Sequence, residues 1–369
     1  MTLVGIAGCT ALLLVAFGLR DSISDIIDNQ WPAISHYDYI VGMTSDVSEE
    51  EADQINAELN QVGATNIRRI IRENVLLESS TQKAGSLTRT TIMTSDSLQD
   101  LTGLATLRNR LSGQTIELGE DSVVITEKLA KRLGVGVGDT IQVYAQDRIG
   151  NASGEPSTLT VTGVTENYVG SYLYLGPLAW HSLGIQDQAA DGWYATLPED
   201  QATRDAFGEK LINQTGVATV DDVNEAIRTY RESLAVVNRV VAILIVAAAL
   251  LAFIVLYNLT NINIEERIRE IASLKVLGFT RHEVDAYVFR EIALLAIFGA
   301  FFGLVLGTYL EGFVVQTAEI DLVMFGRAIH APSYWFAFGL TLVFSLLVYV
   351  AMRPKLKNID MVESLKSVE

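Results

Sequence analysis

Cysteine is almost absent: one residue, Cys9, in 369, and it sits inside an apolar run. No internal disulfide can form, so any domain built by this chain must be held by packing alone. Histidine is scarce and scattered, at His36, His181, His282 and His330, without the close spacing of a zinc site. Neither GxxxxGK[ST] nor Gly-x-Ser-x-Gly occurs, so the usual phosphate cradle of a nucleotide-driven motor and the usual elbow of a serine hydrolase are both missing. No catalytic residue, cofactor or metal site is expected, and any energy must come from a partner. No basic segment precedes the first apolar run, so that run does not read as a secretory signal. Ile6, Ala7, Gly8 and Cys9 are no lipoprotein cleavage box either, because the apolar stretch follows the cysteine. No charged residue falls deep within a long apolar run; Arg239 and Arg353 sit at run ends, where they can snorkel, which disfavours a proton or ion pathway.

What is abundant is apolar length. Four runs are long enough to cross a bilayer, at about residues 2–19, 240–257, 292–310 and 335–352. Between the first two lies a polar stretch of some two hundred residues, long enough for its own core. It also holds nearly all the net charge. From Asp21 to Arg231 there are 15 lysines and arginines against 31 aspartates and glutamates, out of 27 and 44 in the whole chain. That sign excludes a nucleic-acid footprint; an acidic domain could attract cationic peptides, but solubility explains it more simply.

Basic residues cluster beside the later runs, with Arg267, Arg269, Lys275, Arg281 and Arg290 in one short loop and Arg353, Lys355, Lys357 and Lys366 in the tail. Both segments are therefore expected in the cytoplasm, and the loop carrying only Arg327 and the acidic stretch outside it. The expected layout is membrane helix 1–20, stalk 21–36, an extracytoplasmic domain 37–220 with a β-rich insertion at about 120–175, and a second stalk 221–239. Membrane helix 240–260, cytoplasmic hairpin 261–290, membrane helix 291–312, outer loop 313–333, membrane helix 334–352 and a cytoplasmic tail 353–369 follow. Both stalks keep helical spacing and are poor in glycine, proline and serine, so they read as stiff supports rather than tethers. An uncleaved span beginning this abruptly suggests a chain cut from, or preceded by, something longer.

The domain's elements are signalled locally. Ser48 three residues before Glu51 is a capping pattern for a helix carrying Ile55 and Leu59, and the triplet Glu49 to Glu51 suits a helix dipole better than a metal. Strands are expected at about 37–43, 66–78, 87–94, 123–125 and 192–197, with Pro198 opening a second helix and a short strand ending at Val220. Leu159 and Val161, alternating with threonines, predict a half-buried strand from Thr158, after a hairpin loop at 150–154. Asn151-Ala-Ser fits a glycosylation acceptor, a triplet that also arises by chance. Strand, helix and strand recur near both ends, which implies a split α/β layer flanking the insertion. The fold class is thus a helical membrane protein with four transmembrane helices and a large extracytoplasmic α+β domain.

The hairpin NINIEERIREIASLKVLGFTRHEVDAYVFRE, from Asn261 to Glu291, is the most specific stretch. Ile264, Ile268, Ile271, Leu274 and Leu277 recur at helical spacing, with Glu265, Glu266, Arg267, Arg269, Glu270 and Lys275 on other faces. Gly278 suits a helix end, and Thr280 with Glu283 forms the next cap. Taken alone, this is equally a solvated cytoplasmic loop. On the third run, Gly299, Gly303 and Gly307 share one face, as in close helix packing, although glycine is frequent in spans. The tail residues Ile359, Met361, Val362 and Leu365 predict a further short helix.

The run YNLTNINIEERIREIASLKVLGFTRHEV resembles the conserved region of the FtsX-like permeases, which include the MacB and LolC/LolE type subunits, and ITEKLAKRLGVGVGDTIQV is similar to the β-rich part of their external domains. The resemblance implies a permease subunit of an ABC-type transporter, not itself an enzyme, with a cytoplasmic ABC ATPase as partner. By match, Glu266, Arg269, Glu270, Leu274, Lys275, Gly278 and Phe279 are the expected ATPase-coupling positions, with Ala272 also matching. It further implies a second permease half, either an identical copy or an upstream half, which the three glycines would face across membrane lipid. The function implied is mechanotransmission, for export or extraction of a lipoprotein, peptide or other amphiphile. The alternative is a signal transmitter that controls an external cell-wall hydrolase and moves no cargo.

Overall fold

In the computed structural model, residues 2–79, 86–147, 149–185, 190–319 and 323–357 are described. Helix α1 (Thr2–Asn29) ends in a π-helical turn (Gln30–Ile34) and leads to β1 (Tyr39–Met43), α2 (Glu49–Gln61), β2 (Thr65–Ser79), β3 (Thr88–Thr94) and α3 (Leu98–Leu104). Next come β4 (Val123–Thr126), α4 (Glu127–Leu133), β5 (Thr140–Gln146), β6 (Ala152–Thr160), β7 (Gly163–Thr165), β8 (Tyr172–Leu175) and α5 (Pro177–His181). Strand β9 (Ala190–Thr196), helix α6 (Gln201–Ile212) and strand β10 (Val217–Asp222) complete the sheet-bearing part. The chain ends with α7 (Val223–Glu266), α8 (Ile268–Val276), α9 (Arg281–Ala318) and α10 (Ala331–Lys357). It divides into a sheet-bearing unit, Asp25–Glu232 with Ile320–Met324, and a helical unit holding the remainder.

The sheet-bearing unit is organised on β2. This 15-residue strand pairs with β3 along one edge, and along the other with β9 in its first half and β5 in its last. The sheet order is β10-β1-β9-β2-β3-β8-β4-β7, with β5 and β6 branching from β2. Period-two alternation sends Tyr39, Val41 and Met43 of β1 to one face. There they join Ala52, Ile55 and Leu59 of α2 and Phe207 and Leu211 of α6 in one core. A second core joins Val75 and Leu77 to Val123, Ile125, Leu129, Leu133 and Trp180. Each fully buried aliphatic side chain of this size contributes about 1.5–3 kcal/mol by leaving water. The α+β domain is thus built from both ends of its sequence, and the β-rich insertion is continuous with it: β8, β4 and β7 extend the same sheet beyond β3.

Local chemistry decides the helix ends. Ser48 and Glu51 cap α2 reciprocally, the backbone amide of Glu51 donating to Ser48 Oγ at 3.3 Å and that of Ser48 to Glu51 Oε2 at 2.9 Å. Glu49 accepts from Arg69 at 2.8 Å, so two carboxylates of the triplet are committed within the fold. Pro198 does not open α6, contrary to the sequence expectation. Asp200 is its N-cap, accepting from the Thr203 amide at 3.1 Å, because a carboxylate satisfies an orphan donor that proline cannot. The strand expected from Thr158 begins at Ala152, so residues 152–154 of the expected hairpin loop belong to the strand.

Among the described residues, four helices are long and apolar enough to cross a membrane: Leu3–Asn29, Asn238–Glu266, Arg290–Ala318 and Ala331–Met352. The first is the most enclosed, half of its apolar window being buried, and supplies Ile6, Cys9, Leu13 and Leu14 to the two helical cores. Phe301, Phe302, Tyr309 and Phe313 of α9 and Trp335 and Phe336 of α10 face outward, as lipid-facing side chains do. The hydroxyls of Thr10 and Thr341 meet at 3.1 Å and tie α1 to α10: one donates across this contact, while the other donates to the carbonyl four residues back in its own helix. The outer end of α9 holds an acid that the sequence reading passed over: Glu311 is buried and accepts from Ser22 Oγ at 2.9 Å. Asp21 of α1 accepts from the His330 amide at 3.0 Å and from Ser333 Oγ at 2.6 Å, serving the start of α10 from another helix. The expected tail helix beyond residue 357 lies outside the described residues.

Candidate functional site

The inner end of the helical unit is formed by the end of α7, all of α8 and the start of α9. Helix α7 does not begin afresh at Ile264; it runs unbroken to Glu266, and the chain bends only at Arg267, whose guanidinium pairs with Glu291 of α9. Helix α8 closes at Gly278, whose φ of +91° is a conformation that side chains other than glycine's resist. The amides of Leu277 and Phe279 return to the carbonyls of Ser273 and Leu274. Helix α9 then starts with a reciprocal cap, Glu283 Oε2 accepting from both the amide and the hydroxyl of Thr280 at 2.8 Å. Those two bonds hold the Glu283 carboxyl below its ordinary range. The result is a fixed turn rather than a slack loop.

The nominated coupling residues fall on different surfaces of this turn. Glu266, Arg269 and Glu270 are exposed, and Phe279 is 49 % exposed. Leu274 is not: it packs against the core of Leu256, Ile264, Ile292 and Met352, so its role is to seat α8. Leu277, assigned by spacing to the same apolar face, is 74 % exposed, because α8 ends at Val276 and the periodicity stops with it. The side chains of Ala272 and Lys275 lie outside the described residues. Sequence reasoning missed Val276, which is 60 % exposed; with Leu277 and Phe279 it forms an apolar tip at the turn. The apolar pair Val276-Leu277 running into Gly278 and Phe279 was the available signal.

The glycine stripe closes on the chain itself. A Cβ on Gly299 would meet Ile6 Cγ2 at 2.7 Å, on Gly303 the Ala7 carbonyl oxygen at 2.6 Å, and on Gly307 Leu14 Cβ at 3.0 Å. The face expected to meet a second permease half is therefore filled by α1, because the missing side chains let its backbone approach closely.

At the start of α7 a buried arginine fixes the joint between helix and sheet. Arg204 of α6 is 1 % exposed and donates to both carboxylate oxygens of Asp222, to the carbonyl and carboxylate of Asp38 and to the Leu197 carbonyl. Burial pushes the Asp222 carboxyl up, but the Arg204 bonds outweigh it and hold it below its ordinary range. Among the described residues no cluster of three or more histidine, cysteine, aspartate or glutamate side chains is placed to hold a metal ion.

Comparison with known proteins covers nearly the whole chain. The family model of the MacB-like periplasmic core domain matches residues 2–230, and that of the FtsX-like permease C-terminal region matches residues 242–361. An uncharacterized ABC transporter permease protein of Mycobacterium tuberculosis is 22% identical over 207 residues, 53% of this chain; the chain spans 23% of that relative's length. Among solved structures, the periplasmic region of MacB from Actinobacillus actinomycetemcomitans has a TM-score of 0.32 and 10% identity, covering 53% of this chain and 94% of that one. A domain of a putative permease from Porphyromonas gingivalis has a TM-score of 0.27 and 13% identity, covering 48% and 82%.

Proposed function

Because the chain belongs to the FtsX-like permease family, with a MacB-like periplasmic core domain, we propose that it is the membrane subunit of an ABC-type system and acts as a lever. It is a multi-pass membrane protein with its large domain outside the cytoplasm. The engine is a separate cytoplasmic ATPase that grips the α7–α9 turn; this chain hydrolyses nothing. A second permease half, identical or different, completes the assembly and meets this one through faces other than the Gly299–Gly303–Gly307 stripe. Export or extraction of a lipoprotein, peptide or other amphiphile is the work the lever serves.

One observation carries the reading. Val276, Leu277 and Phe279 stand exposed at a turn locked by Gly278 and the Thr280–Glu283 cap, beside exposed Arg269 and Glu270. A rigid apolar tip ringed by charge is what a docking knob requires, and contiguous exposed apolar surface marks an interaction site. From that turn α7 runs for 44 residues, roughly 66 Å at 1.5 Å each, and starts one position after Asp222, the last residue of β10.

The test is copurification of the chain with its ATPase, followed by ATP turnover of the complex. Reversing charge with Glu270→Lys and Lys275→Glu should release the ATPase or uncouple its turnover. Full binding with unchanged turnover in both variants contradicts the docking role.

A further inference from the structure

Within the sheet-bearing unit, a cavity of about 620 Å³ lies between the sheet residues Ile40, Met93, Tyr172 and Tyr174, the end of α3, the π-helical turn after α1 and the first turns of α7. That volume falls within the range of small-molecule sites. Its lining is unusual in two respects. Five aromatic residues line it, Trp31, Tyr37, Tyr172, Tyr174 and Tyr230, with three acidic residues, Asp221, Asp222 and Glu225, while no lysine, arginine or histidine lines it. The rings are arranged as pairs: Trp31 and Tyr230 have centroids 6.2 Å apart, and Tyr172 and Tyr174 6.1 Å.

Most of the polar lining is already committed. Gln30 donates to Ser35 and Asn167 and accepts from the amides of Tyr168 and Val169, so its amide is saturated. Asp222 is held by Arg204 and also accepts from the Asn224 amide, as expected at the start of a helix. Glu225 pairs with Arg228 at 3.3 Å on the surface. Asp221 is different. It sits on a strand, in register with Ile40 and so with Tyr194 beyond, and makes no side-chain hydrogen bond or ion pair among the described residues. Arg72, on the same face of the sheet, is engaged by the Tyr194 hydroxyl and does not line the cavity.

We propose that this cavity binds an organic cation, an ammonium group bearing an apolar substituent, with Asp221 as its counter-charge and the rings of Trp31 and Tyr230 as its walls. The π-faces of aromatic rings carry negative potential that attracts cations, most strongly where water is excluded. An anion of the same size would meet Asp221 with no lining base to offset it. The walls come from both the entry and the exit of the unit's chain, so an occupant bridges the π-helical turn, the sheet and the first turns of α7. The assignment does not rest on the coupling role of the cytoplasmic turn, and its test reads binding alone.

The experiment is calorimetric titration of the full chain in nanodiscs with benzyltrimethylammonium and, separately, with phenylmethanesulfonate, each corrected for empty nanodiscs. The cation should bind at least about tenfold more tightly than the anion, and Asp221→Asn should weaken it by about tenfold. Trp31→Leu should weaken it too, while Asp205→Asn, away from the cavity, should leave it unchanged. Asp221 is exposed, so its variant should keep the wild-type melting temperature. Failure of the cation to bind, equal binding of the sulfonate, or full affinity in Asp221→Asn overturns the proposal.

Discussion

Arg204 Nε and Nη2 each lie 2.8 Å from a carboxylate oxygen of Asp222, a two-pronged bond from a fully buried arginine to the residue immediately before α7. The same guanidinium reaches the carbonyl and the carboxylate of Asp38, just before β1, at 3.0 and 3.2 Å. One side chain thus fastens the chain's way into the sheet to its way out. If α7 is a lever, this is where it is bolted.

Replacing Arg204 by methionine leaves Asp222 and Asp38 facing each other without compensation. Breaking one side of a buried pair costs on the order of 3–5 kcal/mol, and thermal unfolding of the sheet-bearing unit, followed by near-ultraviolet circular dichroism, should show a loss of that size. Adding Asp222→Asn should recover part of it.

Glu73 gives the sheet-bearing unit a pH dependence. It is 7 % exposed, its Oε2 has no hydrogen-bond partner among the described residues, and burial pushes its carboxyl up to about 7. The folded state therefore holds a proton that the unfolded chain releases near pH 4.5, so stability falls as pH rises from about 4.5 to about 7. Glu73→Gln should flatten that slope and, at pH 8, stabilise the protein by up to about 3 kcal/mol, measured as denaturant midpoints across the pH range.

The glycine stripe makes a paired prediction. Gly303→Ala drives a methyl into the Ala7 carbonyl and Thr10 of α1, which must move, at a cost of about 1–3 kcal/mol for overpacking. Gly312→Ala meets nothing within 4 Å and should be neutral or slightly stabilising. Unfolding titrations in mixed detergent, with helicity as readout, compare the two.

Thr280→Ala removes one partner of the reciprocal cap at the start of α9. Loss of such a cap costs about 1 kcal/mol, and amide hydrogen exchange should quicken in the first turn of α9 and at Phe279. The bilayer-spanning part of α9 should keep its protection.

How much of this was legible in the sequence depends on the range of the interactions. Caps such as Ser48–Glu51 and Thr280–Glu283 are encoded within four residues, and the four apolar spans within twenty, so both could be read directly. The parallel pairing of β3 with β8 and of β4 with β7 leaves no local period, and neither strand β7 nor β8 was expected. Arg204 and Glu311 looked like ordinary polar residues because their partners are distant: Asp38 is 166 positions from Arg204, and Ser22 is 289 from Glu311. Gly299, Gly303 and Gly307 announced a close approach but not its partner, since spacing on one helix is silent about the other. At the turn, helical periodicity overran its end, which put Leu277 on a buried face and left Val276 unnoticed.

Sidedness of the turn is the most direct test, because a lever must be gripped on the side where the engine is. The single native cysteine, Cys9, is buried, which leaves a quiet background for introduced ones. Intact cells carrying Phe279→Cys or Val137→Cys are treated with a membrane-impermeant maleimide. The prediction is that Val137→Cys, exposed in the sheet-bearing unit, is labelled at once and Phe279→Cys only after permeabilisation. Labelling of both in intact cells would contradict the account.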